Sequence, residues 1–456
     1  MVQARNIVRM VIVCFSAAML GGCGNPSSQP NPAINSFAAT PSIISKGQST
    51  TLSFDFIDGT GRIDDGVNTS KPIFGNATTF KPLATTKYTL TVISPKGVKV
   101  SESATVTLSP ILGRFTSSAG KTVDARDNHT ATLLPGGKVL LAGGSMQFAA
   151  LHYRKSAELF DPASGTSAAT GFMMYSSASH TATLLGSGKV LLTGGWDGFK
   201  SHGEAQLFDP AANAGTGAFA FTGSMNRVRS LHTATLLGNG KVLVTGGYDG
   251  SVPLASAELY DPVTGLFSPT GSMTVARMAH TATLLNNGTV LIAGGSPDNT
   301  LCELYNPTTG SFTATGRMNY ARSYHTATVL TNGPNAKVLI AGGSTSTFAE
   351  LYDPVSGTFG ITYSMTVSRT FHTATLLSDT RVLLAGGSGD NTAEFYDPNT
   401  RTFAGPLLLF APGDVKPLPL LLMNEVRASH TATMLPNGLV FFAGGTGAVN
   451  KTEQFK

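Results

Sequence analysis

One unit of sequence recurs seven times along the chain, and it constrains the fold more than any other feature. A representative copy is HTATLLGNGKVLVTGGYDG, which runs from His232 to Gly250. It reads as two short strands joined by a tight turn and closed by a glycine pair. The other copies begin at His129, His180, His280, His325, His372 and His430.

The spacing of the copies indicates what each of them builds. Successive histidines lie 51, 52, 48, 45, 47 and 58 residues apart, which is the length of a four-stranded propeller blade. After the glycine pair, each unit continues with Ala-Glu-Leu-Tyr-Asp-Pro or a variant of it. Asp-Pro initiates a turn, so we predict a third strand before it and a fourth strand after it. The fourth strands centre on Phe219, Phe267, Phe312, Phe359 and Phe403.

The repeat resembles the kelch repeat of β-propellers, which carries the glycine pair, the later Tyr-Asp and an aromatic residue in the last strand. This chain has phenylalanine where kelch repeats usually have tryptophan. The resemblance implies an all-β protein with a seven-bladed kelch-type β-propeller over residues 109–456.

The two ends of this region complement each other. The seventh unit stops at TEQFK, before any fourth strand, whereas GRFTSSAGKTVDARDNH precedes the first unit and matches GSFTATGRMNYARSYH at residues 310–325. We therefore predict that residues 113–118 supply the fourth strand of blade seven. Pairing first and last segments closes the ring and leaves no free sheet edge there.

Residues 34–108 have a different pattern. SIISKGQSTTLSFDF and TTKYTLTVISPKG alternate apolar and polar residues between turn residues, as half-buried strands do. The segment resembles bacterial immunoglobulin-like domains, which implies a small immunoglobulin-like β-sandwich that precedes the propeller. We expect it to be a spacer.

The first residues are typical of an export signal. Arg5 and Arg9 precede an apolar core at residues 10–20 that is too short to span a bilayer. The following Leu-Gly-Gly-Cys23 resembles the bacterial lipoprotein signal. The resemblance implies that residues 1–22 are removed, that Cys23 is the lipid attachment site and that residues 23–33 form a flexible tether. Gly24 in place of aspartate implies an outer-membrane lipoprotein, facing the periplasm or the surface; the alternative is an ordinary secretory signal with an incidental cysteine.

The repeated histidines and glutamates are predicted to be structural, because a group repeated in every blade need not converge on one site. A further series of arginines lies three residues before the histidines, with Ser177 breaking it. Two interpretations stay open: each arginine bridges adjacent blades, or the ring holds a carboxylate-bearing ligand, as the resemblance to some animal kelch proteins implies. The arginines are Arg126, Arg229, Arg277, Arg322, Arg369 and Arg427.

Function in a repeat protein tends to lie where the copies differ. From the second glycine of the pair to the Glu or Gln of the third strand there are 14, 11, 11, 8, 7, 7 and 8 residues in blades 1 to 7. The three long loops carry aromatic and polar residues that we predict to form a binding surface. These candidate ligand-binding residues are Tyr153, Arg154, Trp196, Phe199, His202 and Tyr248, with Phe148 and His152 nearby.

A second irregularity is the apolar insertion GPLLLFAPGDVKPLPLLLMN at residues 405–424, which leads into blade 7. Blade 7 lies beside blade 1 in the closed ring. The insertion is therefore expected to be a wall of the binding surface or a docking patch for a partner; the alternative is that it packs on the N-terminal domain.

The sequence favours recognition over catalysis. Catalytic residues, metal ligands and cofactors are not predicted, and a net charge of +5 spread along the chain gives no reason to expect nucleic-acid binding. We expect a protein or glycan ligand, carboxylate-bearing if the arginines take part. The alternative is a carbohydrate-active enzyme. Tyr324-His325 resembles a ligand pair of copper radical oxidases such as galactose oxidase, although the cross-linked cysteine and the C-terminal histidine of that family have no counterpart here. The second enzymatic alternative is a sugar mutarotase, since one bacterial kelch family acts on sialic acids.

Overall fold

A computed structural model describes most of the chain in two compact units, one ending at Leu108 and one containing the described residues from Gly113 onwards. The predicted signal peptide (1–22), Cys23, most of the tether, Phe148 and residues 405–420 of the insertion lie outside the described residues. The described ranges are 31–40, 43–44, 50–64, 71–72, 76–80, 86–108, 113–146, 152–297, 300–330, 335–404, 421–446 and 450–456.

The N-terminal unit is a β-sandwich. One sheet contains Ala33–Thr40, Thr50–Ile57 and Ala77–Phe80. The other is ordered Ile43–Ile44, Lys99–Leu108, Thr86–Ile93, Thr60–Asp64 and Lys71–Pro72. Alternate residues of each sheet point inward, and Leu52 and Phe54 of the first share a core with Leu90 and Val92 of the second. The kinship with immunoglobulin-like domains stays a prediction.

The second unit is a seven-bladed β-propeller of four-stranded antiparallel sheets, as the repeat predicted. In blades 1 to 6 the strands follow chain order from the axis outward. Blade 1 contains Thr130–Leu133, Val139–Ala142, Ala157–Asp161 and Thr166–Ala169; blade 2 Thr181–Leu184, Val190–Thr193, Ala205–Asp209 and Ala218–Phe221; blade 3 Thr233–Leu236, Val242–Thr245, Ala257–Asp261 and Leu266–Pro269. Blade 4 contains Thr281–Leu284, Val290–Ala293, Cys302–Asn306 and Ser311–Ala314; blade 5 Thr326–Val329, Val338–Ala341, Glu350–Asp353 and Thr358–Ile361; blade 6 Thr373–Leu376, Val382–Ala385, Thr392–Asp397 and Thr402–Ala404.

Several short strands and one helical turn accompany the seven blades. Ser145–Met146 pairs with His152–Tyr153, Arg277–Met278 pairs with Ser296–Pro297, and Leu421–Leu422 pairs with the third strand of blade 6. A four-residue helical turn spans Ala212–Gly215. In the part of the chain that the structure describes, no helix is long and apolar enough to cross a membrane.

The residue types of the repeat follow from crowding around the axis. The second strand of each blade is buried along its whole length and fills the space between blades with valine, leucine and isoleucine. Leu159 of blade 1, for example, packs with Val190 and Leu192 of blade 2 in one cluster. The core is therefore a ring of interfaces between neighbouring sheets.

The ends of the propeller meet in blade 7, as the sequence predicted. Thr431–Met434, Val440–Ala443 and Lys451–Phe455 are followed in the sheet by Phe115–Lys121. Phe115 pairs with Phe455 in register, and both rings belong to one buried cluster. The predicted strand at 113–118 thus lies two residues further along and runs on to Lys121.

Replacing the first aromatic residue of this closing strand should destabilise the propeller. Phe115 is 9% exposed, and its ring lies 5.2 Å from those of Phe442 and Phe455. Phe115→Ala should lower the free energy of unfolding by about 3 kcal/mol or more, because it leaves a cavity at the seam. Urea unfolding measures the loss, with the exposed Val123→Ala as a control. Equal midpoints for the two variants would contradict the closure.

Candidate functional site

The seven repeated histidines link each blade to the one before it. Every imidazole is buried, and its Nε2 lies 3.0–3.1 Å from the threonine hydroxyl that opens the preceding blade. The circle closes where His129 contacts Thr431. The structural role agrees with the sequence interpretation.

Burial keeps these imidazoles neutral. Desolvation, followed by repulsion from the nearby arginines, lowers the pKa of His280 to about 3, and that of His325, His372 and His430 likewise. The pKa of His180 falls to about 4, mainly through burial. The pKa values of His129 and His232 are also well below the ordinary range for the same reason.

The six arginines are structural, and their assignment to ligand binding was wrong. Their side chains have no exposed surface, and each is paired at 2.7–3.1 Å with the glutamate on the third strand of its own blade. The guanidinium groups do not bridge blades, as one interpretation expected: each bonds within its own blade, and only the backbone carbonyl of each arginine accepts a hydrogen bond from the second glycine of the preceding blade. The six pairs are Arg126–Glu158, Arg229–Glu258, Arg277–Glu303, Arg322–Glu350, Arg369–Glu394 and Arg427–Glu453.

Blade 2 replaces the ion pair by neutral groups. Ser177 stands in the arginine position and Gln206 in the glutamate position. The Ser177 hydroxyl donates to the Gly194 carbonyl, and the Tyr175 hydroxyl donates to the Glu204 carbonyl. In blade 3, a single guanidinium nitrogen of Arg229 makes both equivalent contacts. Serine and tyrosine together therefore take over the hydrogen bonds of the missing arginine.

A second ring surrounds the mouth of the central channel. The residue before each repeated histidine has a φ of 49–56°, a left-handed conformation that non-glycine residues rarely adopt. Each donates its amide N–H to the carbonyl of its counterpart one blade back, at 2.9–3.3 Å, and the seven bonds close a circle. These bonds offset the cost of the backbone conformation. The ring consists of Asn128, Ser179, Leu231, Ala279, Tyr324, Phe371 and Ser429.

Beside this ring lies a cavity of about 520 Å³ that contains three of the predicted aromatic residues. Tyr153, Trp196 and Tyr248 come from the long loops of blades 1, 2 and 3, and each is half-buried. The remaining described lining comes from the channel ring and its flanking positions: Asp127, Asn128, Ser145, Ala178, Ser179, Ser230, Leu231, Phe371, Ala428, Ser429 and Thr446.

The loops of blades 2 and 3 present their aromatic residues in the same way. Each has an aromatic–Asp–Gly turn, in which the aspartate accepts hydrogen bonds from two amides further along the loop. The glycines make room for the neighbouring ring: a Cβ on Gly198 would lie 2.7 Å from the Tyr153 ring, and one on Gly250 would lie 3.7 Å from Trp196. Rings and glycines thus interlock from blade to blade.

Three other predicted residues are not brought into the cavity. Phe199 is 92% exposed at the tip of its loop. His202 is buried between Asp197 and Glu204. Arg154 lies 3.5 Å from the Asp124 carboxylate. The described lining of the cavity contains none of the three, so a role for them in ligand contact stays a prediction.

The described end of the apolar insertion packs on the propeller. Leu421 and Met423 are buried in the same cluster as Phe115 and Phe455, whereas Leu422 is half-exposed. This segment does not line the cavity. The role predicted for residues 405–420 lies outside the described residues.

The sequence interpretation missed most of the polar lining. Asp127 and Asn128 lie between the repeated arginine and histidine, in the connection that leads into the first strand of blade 1. The comparison of copies that identified the loops would have found them, since these positions vary from blade to blade. Asp127 is the one charged side chain of the described lining. A carboxylate-bearing ligand therefore loses the cationic contacts on which its prediction depended.

Comparisons with known proteins agree with this architecture. Residues 229–274, which contain blade 3, match the family model of the kelch motif. The chain carries a kelch repeat. A solved structure of a fungal alcohol oxidase of the AA5 family in complex with copper superposes with a TM-score of 0.58 at 16% identity, over 75% of each chain. That likeness shows the fold alone. A search of curated proteins gave no match.

The side chains present do not fit a copper centre of the oxidase type. His325 directs its Nε2 at the Thr281 hydroxyl as a member of the buried histidine ring. Cys302 is buried in the apolar core between blades 4 and 5, where burial raises the pKa of its thiol to about 11. Among the described residues, no three His, Cys, Asp or Glu side chains lie close enough together to hold a metal ion.

Proposed function

We propose that this protein is a recognition module that binds a neutral glycan in the cavity of blades 1 to 3, and that acylated Cys23 anchors it to the bacterial outer membrane. The observation that carries the proposal is the convergence of Tyr153, Trp196 and Tyr248 on one cavity with hydroxyl, amide and carboxylate groups. The immunoglobulin-like domain serves as the spacer in this proposal.

Sugar chemistry suits such a lining. The C–H faces of a pyranose pack on aromatic rings, and its hydroxyl groups need donors and acceptors at fixed positions. Asn128 provides a donor and an acceptor beside the rings, and the buried Asp127 carboxylate, which accepts from the Ser145 hydroxyl, adds negative charge to the lining. The carboxylate of Asp127 disfavours anionic sugars, because like charges repel in a partly buried site.

The enzymatic alternative has less support. Acid–base cleavage of a glycosidic bond uses two carboxyl groups, and the described lining contributes only Asp127. The Arg and Glu residues that a mutarotase would need are paired in the buried ring described above. The proposal therefore assigns the cavity to binding.

Removing the tryptophan should abolish recognition without unfolding the protein. A glycan array first identifies the ligand, and calorimetry then measures its Kd. Trp196→Ala should weaken binding by about tenfold or more, since a stacked ring contributes about 1.4 kcal/mol or more with its buried area. Tyr248→Ala should act in the same direction. Both variants should keep the melting temperature nearly unchanged, because the two rings are half-buried in loops.

Phe199→Ala provides the matched control, since it removes an aromatic ring from the tip of the same loop but outside the cavity. Its Kd should equal that of the unmodified protein. Full binding by Trp196→Ala, or a preference for acidic over neutral glycans, would refute the proposal.

A further inference from the structure

The loop that carries Trp196 is fastened by a histidine. Trp196 pairs with Ser201 in a hairpin, and the His202 amide donates to the Gly195 carbonyl at its base. The His202 imidazole reaches back to the tip: its Nε2 lies 3.0 Å from an Asp197 carboxylate oxygen. The side chain thus joins the two ends of the hairpin.

Both nitrogens of this imidazole face carboxylates. The second nitrogen, Nδ1, lies 3.1 Å from a Glu204 carboxylate oxygen. Tyr175 covers one face of the ring, with centroids 4.2 Å apart. The other charged group nearby is the Lys200 ammonium, 3.9 Å from Glu204.

The two carboxyl groups are ionised at neutral pH. Burial raises the pKa of Asp197 and Glu204, but hydrogen bonds from backbone amides and from His202 outweigh it, and both pKa values lie below the ordinary range. Burial raises the pKa of Tyr175, which therefore stays neutral. Two ionised acceptors need two N–H donors, and only the doubly protonated imidazolium provides them.

Blade 3 contains the same hairpin without this contact. Leu254 occupies the position of His202: its amide donates to Gly247, as that of His202 donates to Gly195. Its side chain is buried and apolar, and Asp249 pairs instead with Arg227 at 2.9 Å. The hairpin therefore forms without histidine, and the imidazole adds a proton-dependent contact in blade 2 alone among the three long loops.

We propose that His202 is a positioning residue whose proton holds Trp196 and Gly198 in place, so that the cavity binds its ligand more tightly below the pH at which His202 deprotonates than above it. Loss of the proton leaves one ring nitrogen with a lone pair against a carboxylate, which loosens the tip of the hairpin. Gly198 supports Tyr153, so two walls of the cavity respond together. The effect on affinity rests on the proposed glycan binding.

The loop movement is measured without any ligand. Trp196 is the single tryptophan of the chain, so its emission reports this hairpin directly. Between about pH 6.5 and pH 9 the seven ring histidines stay neutral and the propeller stays folded, and His152 is the one other imidazole of the sequence besides His202. Tryptophan emission should change in one step, with the same midpoint as the His202 ring signals in an NMR titration.

Three variants decide the assignment. His202→Leu, which reproduces the residue found in blade 3, should fold and abolish the step, whereas His152→Gln should keep it. Asp197→Asn should move the midpoint to lower pH by about one unit, because the new amide donates to Nε2 and favours the neutral ring. A step that persists in His202→Leu, or constant emission in the unmodified protein, would overturn the proposal. A glycan array without hits, combined with the expected step, would refute glycan binding and leave the proton-dependent loop intact.

Discussion

Lowering the pH from about 7 to about 5 should destabilise the propeller steeply. The seven ring histidines have folded-state pKa values near 3 to 4 where a value is assigned, against about 6.5 in an unfolded chain. The unfolded state therefore binds more protons below about pH 6.5. The stability that the neutral imidazoles provide is complete above that pH and is lost as the pH falls towards the folded-state values.

The expected magnitude is large. Each histidine contributes a slope of up to about 1.4 kcal/mol per pH unit, so seven together approach about 10 kcal/mol per unit. The total stability of a folded domain is about 5–15 kcal/mol. The propeller should consequently unfold before the carboxylates with lowered pKa values, such as Asp261 and Asp353, begin to take up protons.

Urea titrations at a series of pH values measure the slope of the unfolding free energy against pH. Proton uptake on unfolding gives the number of imidazoles that become protonated. His280→Gln should lower that number by one, because glutamine can still bond the Thr233 hydroxyl but does not titrate in this range. An NMR titration of the histidine ring signals in the folded protein checks the pKa values of the ring directly. Ring histidines that titrate near pH 6.5 while the protein remains folded would contradict the prediction.

The repeat made the propeller and its closing strand predictable, because similar spacing and recurring residue types impose the same sheet on every copy. Variation among copies identified Tyr153, Trp196 and Tyr248, which follow the glycine pairs or lie in the longest loop. The arginines misled the ligand prediction for the opposite reason. Their recurrence at one position predicted a ring, but burial of each side chain and its pairing with a glutamate some 30 residues away depend on how the sheets pack.

Two parts of the site could not be read from residue types. Leu231 and Phe371 have left-handed backbones, which apolar residues with a Cβ disfavour, so nothing in their identity marks a turn at the channel mouth. His202 was predicted to touch a ligand because of its loop, yet Asp197 and Glu204 surround it. Sequence proximity indicated a cluster but not which side chains would face each other.

Breaking one buried ion pair should cost as much stability as removing a large core side chain. Arg322 and Glu350 of blade 5 are 3.1 Å apart with no exposed side-chain surface. Glu350→Gln keeps the shape of the side chain but leaves the guanidinium without a counter-charge, and we expect a loss of about 3–5 kcal/mol in urea unfolding. Asp353→Asn is the control, since it breaks a partly exposed pair with Lys337 in the same blade and should cost less than about 1 kcal/mol.

Blade 2 supplies the compensating change. The double variant Arg322→Ser with Glu350→Gln recreates the Ser177 and Gln206 pair, and Tyr320 already occupies the position of Tyr175. Because it removes both charges together, the double variant should be more stable than Glu350→Gln alone, with a coupling of about 1–3 kcal/mol. Additive losses would show that the pair is not a unit. If the coupling holds, the neutral Ser177 and Gln206 of blade 2 are a tolerated replacement for the buried ion pair. Beside them, Tyr175 stacks on the His202 ring and thereby supports the loop of Trp196.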